Sequence, residues 1–134
     1  MSDAANENRR PHPQAMAAPY FEFDVARELE QLRREGEWPS GHNAKTLVKY
    51  DGLRIVLMAL KPDSRIPVHH TMGQISIHTI AGHIKVHAQG RTFELRSGGL
   101  LALDRGLHHD VEAVAESAFL LTIGSPEGPE HKTM

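Results

Sequence analysis

The sequence predicts an all-β barrel or sandwich preceded by one short helix. Two observations carry this. From Lys45 to Ile123, short runs of β-branched and large apolar residues alternate with turns containing Gly, Pro or Asp, at about ten-residue spacing. Upstream of them, residues 24 to 35 carry apolar residues at helical spacing. The bulk numbers agree. The chain has 134 residues, 40% hydrophobic and 24% charged, which is ordinary globular composition at the size of one domain.

The elements follow in order. Residues 1–19 are polar and rich in Pro and Ala, and are expected to be a flexible tail. Residues 20–126 form the domain, and 127–134 a C-terminal tail. The helix opens at Asp24, an N-cap residue type, and presents Val25, Leu29 and Leu32 on one face. Gly36 suits the position just past its end, and Pro39 prevents its continuation. The first expected strand runs from Thr46 to Tyr50. Asp51-Gly52 then predicts a tight hairpin, with the positive φ angles of a type I′ turn. Leu53 to Leu60 returns. After the Pro62-Asp63-Ser64 turn come strands at 66–71, 75–80, 84–87, 92–95, 100–103, 110–114 and 118–123. Met72-Gly73, Ala81-Gly82, Gln89-Gly90 and Ser97-Gly98-Gly99 punctuate them.

Composition excludes several function classes. With no cysteine, disulfides, zinc-thiolate centres and thiol nucleophiles are ruled out. A net charge of -2 without a basic stripe gives no nucleic-acid footprint. The apolar run Ile55 to Leu60 is far too short to span a bilayer, and no signal-peptide pattern opens the sequence. These features predict a cytoplasmic protein with no nucleic-acid or membrane partner. No Gly-rich phosphate loop is present.

Residues 60–113 resemble the two motifs of the cupin family. The first motif combines a histidine pair, a glutamate and a glycine seven positions after it. Here the stretch is His69-His70-Thr71-Met72-Gly73-Gln74-Ile75, ending at Gly82. The second is similar to Gly98 through Gly106 to His109. The resemblance implies a cupin-type double-stranded β-helix, or jelly-roll barrel, with one short N-terminal helix. In metal-binding cupins the two histidines and the glutamate of the first motif, with the histidine of the second, hold the ion. This chain departs from that set. Ile75 occupies the glutamate position, and one spacing of the pair gives His69 with Thr71 while the other gives Val68 with His70. Asp104 and His108 stand where the second motif commonly has prolines.

The chain has ten histidines, and seven fall between His69 and His109. His69 and His109 are the best candidate pair for the barrel mouth. A third metal ligand would come from His70, His78 or Gln74, provided the Met72-Gly73 break re-aims a side chain. Such a nitrogen and oxygen donor set suits a divalent transition metal: Zn, Fe, Ni, Cu or Mn. The competing reading makes His69 and His109 hydrogen-bonded groups in a metal-free pocket. If Ile75, Ile77 and Thr79 face inward, His78 faces outward. His83 and His87 read as a solvent-facing row, and His12, His42 and His131 are assigned nothing. Thr71, Gln74, Ile75, Ile77, Leu101 and Leu103 are the expected pocket lining.

Two functions fit. One is a metal-dependent enzyme of oxygenase or isomerase type acting on a small organic molecule. The other is a non-catalytic barrel that binds or senses a small-molecule ligand. In both a homodimer is expected, since small cupins generally pair through an outer sheet face.

Overall fold

The computed structural model describes residues 18–69 and 72–124. The expected tails, apart from Ala18 and Pro19, lie outside the described residues, as do His12, His70, Thr71 and His131.

Helix α1 spans Val25–Arg34. The Asp24 side chain accepts a hydrogen bond from the Arg27 amide (3.3 Å), which satisfies one of the amides a helix start leaves unpaired. Gly36 takes φ 55° just past the end. Leu29 and Leu32 are the buried residues of the helix.

Nine strands follow among the described residues: β1 His42–Lys49, β2 Leu53–Leu60, β3 Arg65–His69, β4 Gln74–Ala81, β5 His83–Ala88, β6 Arg91–Arg96, β7 Leu100–Leu103, β8 His109–Ala113 and β9 Ser117–Gly124. They form a five-stranded sheet, β1-β2-β9-β4-β7, and a four-stranded sheet, β3-β8-β5-β6. Every pairing is antiparallel. The inner faces of both sheets meet in a core of Leu60, Ile75, Ile77, Ile84, Val86, Leu95, Val111 and Phe119, among others. A second core lies on the outer face of the five-stranded sheet. There Leu29 and Leu32 of α1 join Trp38, Leu57, Ala59 and Ala118. Lys45 of β1 fastens the helix further through Glu28 (2.6 Å).

Three local features depart from or sharpen the sequence reading. The β1–β2 hairpin forms, with the Tyr50 amide donating to the Leu53 carbonyl (2.8 Å), but neither Asp51 nor Gly52 has positive φ. The expected type I′ turn is therefore absent there. A bulge between Thr46 and Val48 lies just before it, and a bulge adds the twist that such a turn would otherwise supply. The left-handed pair is instead Gln89 (φ 55°) and Gly90 (φ 69°), between β5 and β6. At Gly82, between β4 and β5, φ is +87° and an added Cβ would lie 2.2 Å from the Glu116 carbonyl oxygen. Only glycine fits that crossing.

Candidate functional site

Strand register gathers the chain's candidate residues at one end of the barrel. In the five-stranded sheet, Gln74 at the start of β4 pairs with Gly124 at the end of β9, which pairs with Leu53 at the hairpin. In the four-stranded sheet, His69 at the end of β3 pairs with His109 at the start of β8. His109 pairs in turn with Ala88 of β5, and Ala88 with Arg91 of β6. β3 ends and β4 begins at this end, as do β7 and β8, and it is the mouth of the barrel.

His69 reaches its place opposite His109 through a bulge. Ile66 pairs with Val111 and His69 with His109, so β3 carries one extra residue over that interval. Without the insertion, alternation would pair a different residue with His109.

His109 shares the inward face of β8 with Val111 and Ala113, and is 3% exposed. Its Nδ1 donates to the Leu107 carbonyl (3.1 Å). A carbonyl can only accept, so in neutral His109 the lone pair resides on Nε2. That is the tautomer a metal or a ligand donor would require.

The wall behind His109 is apolar. Cross-strand rows Leu103–Ile75–Ile123 and Leu101–Ile77–Leu121 run inward from the mouth. Ile75, Ile77 and Leu103 are buried, and Leu101 packs against them. The expected lining residues Ile75, Ile77, Leu101 and Leu103 are thus brought together. Ile75 lies at the mouth on the inner face and offers no donor atom.

Gln74 and His78 go elsewhere, which corrects their candidacy as ligands beside His109. Gln74 is exposed, and its Nε2 donates to Asp104 Oδ1 (3.0 Å), tying the β3–β4 connection to the end of β7. The Arg105 amide (2.8 Å) also donates to Asp104. These bonds, the backbone one foremost, hold the Asp104 carboxyl below the usual carboxylate range. His78 is exposed on the outer face of β4, opposite Leu100 and Leu120. The alternation that puts Ile75 and Ile77 inside puts His78 outside. Among the described residues, no group of three or more His, Cys, Asp or Glu side chains converges to hold a metal.

A cleft of about 380 Å³ opens beside His109, between the β5–β6 turn and the start of β8. His87, Arg91, Thr92, His108 and Asp110 help line it. Asp110 faces away from His109 and is 2% exposed. Its Oδ2 is held by Arg65, with Nε at 3.1 Å. Its Oδ1 is buried without a hydrogen-bond partner. The outer face of this sheet is a polar ladder, as expected for the His83/His87 row. His83 Nε2 donates to Glu94 Oε1 (2.9 Å). His87 Nε2 donates to Glu112 Oε1 (3.0 Å), and the Thr92 hydroxyl bonds His87 Nδ1 (2.9 Å). The His87 bond holds the Glu112 carboxyl below its ordinary value.

Reading the histidines alone misses the basic residues of the mouth. Counting back from Leu60 through Met58 and Val56 puts Arg54 on the inward face of β2, and its register partner Lys49 beside it on β1. Arg91 shares the inward face of β6 with Phe93, its guanidinium carbon 5.0 Å from the ring centroid. The two-residue period of the strands was the available signal.

No protein-family model matches the sequence, and no curated protein matches it. Solved structures do. A cupin superfamily protein from Desulfitobacterium hafniense aligns with a TM-score of 0.63 at 12% identity, covering 68% of this chain and 83% of that one. An RmlC-like cupin from Shewanella frigidimarina aligns at 0.62 and 15%, covering 70% and 83%. Salicylate 1,2-dioxygenase from Pseudoaminobacter salicylatoxidans, solved as adducts with gentisate, aligns at 0.62 and 17%, covering 74% of this chain and 29% of that one. At these identities the likeness establishes the fold, a cupin jelly roll of the RmlC-like type, and leaves the chemistry to the site itself.

Proposed function

We propose that this cupin-fold chain binds a small organic molecule inside its barrel, with His109 as the polar contact at the mouth. The observation that carries this is an apolar inner face of one sheet, Ile75, Ile77, Leu101 and Leu103, with buried His109 on the inner face of the other. Apolar lining with a few placed polar groups is what small-molecule sites require. The protein acts in the cytoplasm, consistent with its lack of cysteine, and needs neither nucleic acid nor membrane. Among the described residues no helix is long and apolar enough to cross a bilayer.

A second reading, metal-dependent chemistry of oxygenase or isomerase type, draws support from one observation. The Nδ1 bond to Leu107 leaves the lone pair of neutral His109 on Nε2, and His69 is its register partner. A metal centre here would draw on His109 with His69 and His70, and would act as a Lewis acid on the bound molecule. The described donors alone do not complete such a centre.

The test of the first reading is thermal denaturation against a library of small organic molecules. A native-state binder stabilises by about 2.7 kcal/mol at a hundredfold excess over its Kd. Some compounds are expected to raise the Tm of the wild type and not that of Leu101→Trp, which narrows the barrel at a partly buried position of the apolar wall. A library without effect, or one acting equally on both proteins, overturns the reading.

A further inference from the structure

We propose that the barrel mouth is an anion-selecting rim, and that the molecule it admits is a small organic acid whose carboxylate meets Arg54, Arg91 and Lys49. This rests on the reading above that the barrel holds a small molecule, and it names that molecule's class.

Along the five-stranded sheet the inward residues, besides those of the outermost row, are His42, Ala44 and Thr46 of β1; Val56, Met58 and Leu60 of β2; Ser117, Phe119 and Leu121 of β9; Ile77 and Thr79 of β4; and Leu101 of β7. The Lys, Arg, Asp and Glu residues on that face reduce to Lys49 and Arg54. Both fall in the outermost row, Lys49–Arg54–Ile123–Ile75–Leu103. The matching row of the facing sheet is Arg91–Ala88–His109–His69. Three cations and two histidines therefore share the rows that frame the mouth, and neither row contains a carboxylate. The chain as a whole is slightly acidic, at -2, so this concentration is local.

These cations also lack the partners that others have. Arg33, Arg34, Lys45 and Arg65 each sit against a carboxylate. Among the described residues Lys49, Arg54 and Arg91 form no ion pair. Lys49 and Arg54 are direct cross-strand neighbours, an arrangement that is unfavourable for like charges. An arriving carboxylate removes that repulsion and can accept the planar fork of a guanidinium. Arg91 lies over Phe93, which limits its rotamers before any ligand arrives. The nearby carboxylates are otherwise placed: Asp51 is exposed in the hairpin, and Asp104 is bound by Gln74 and the Arg105 amide. Behind the rim the wall is apolar, so the complementary molecule has one anionic end and an apolar body.

The experiment compares acids with their neutral isosteres. Affinities for benzoate, hexanoate, benzamide and hexanamide are measured by calorimetry on the full chain at low salt, with sulfate as a control anion. The acids are expected to bind at least about tenfold more tightly than the amides, with the ratio falling as sodium chloride is added. Arg54→Gln and Arg91→Gln should each weaken the acids several-fold and leave the amides unchanged, which also reports that the variants are folded. Equal binding of acids and amides overturns the rim and leaves the apolar pocket standing. Sulfate binding as tightly as the acids reduces the rim to a general cation patch and overturns the substrate class. If none of the four compounds binds, the rim inference falls, and the Leu101→Trp comparison decides whether the pocket falls with it.

Discussion

His109 shows what a single residue inherits from its surroundings. Its place at the first position of β8 puts its ring inside the barrel, and the turn before it supplies the Leu107 carbonyl that fixes its tautomer. Its position in the second motif was legible from Gly98 and Gly106, because the glycine spacing fixes how far the chain travels before the strand begins. The partner on β3 was not legible. Whether Val68 or His69 stands opposite His109 depends on the one-residue bulge after Ile66, and a bulge leaves no periodic trace in sequence. Gln74 and His78 were candidates on proximity, and alternation carries them to other surfaces. If the second functional reading holds, untagged protein grown with Zn, Fe, Ni, Cu and Mn contains near-stoichiometric metal by elemental analysis, and His109→Ala loses it. Wild-type protein that stays folded and metal-free under every condition removes that reading.

The elements themselves were largely readable. Each expected strand has its counterpart within a few residues, because turn residues and β-branched runs are local signals. The exceptions involve pairing. β1 begins at His42 rather than Thr46 because β2 extends to Leu60 and offers its backbone to His42. Asp51-Gly52 makes a turn of another kind because the neighbouring bulge shares the twist. Helix α1 illustrates how little area fixes an element: two buried leucines, Val25 packed beside them, and the ion pairs Lys45–Glu28 and Arg33–Glu116 join it to the barrel. Leu32 is 1% exposed, so Leu32→Ala should cost about 2–5 kcal/mol in urea denaturation. Glu30→Ala, which removes an exposed i,i+4 pair, should cost less than about 0.5 kcal/mol. Equal effects would show that α1 is not anchored through its apolar stripe.

At the scale of the whole molecule, the two outer faces differ in kind. The four-stranded sheet presents the ladder of His83, Glu94, His87 and Glu112 to solvent. The five-stranded sheet is only partly roofed by α1, and beyond the helix Leu100 is 65% exposed beside its register partner His78. This difference supports self-association through the five-stranded sheet, and we expect a homodimer. Light scattering at micromolar concentration should give twice the mass of the chain, and Leu100→Asp should return it to one. A wild-type monomer would refute the dimer. An unchanged dimer in Leu100→Asp would move the interface elsewhere.

The bulge in β1 has a bearing beyond the hairpin it adjoins. β1 is a margin of its sheet, eight residues long, and such a margin offers unpaired amides and carbonyls to any passing strand. The extra residue between Thr46 and Val48 breaks the even spacing a templated strand would need, and Lys45 and Lys49 flank the break. Pairing with a second chain along this border, the route to open-ended fibrils, is thereby disfavoured by the chain's own geometry and charge.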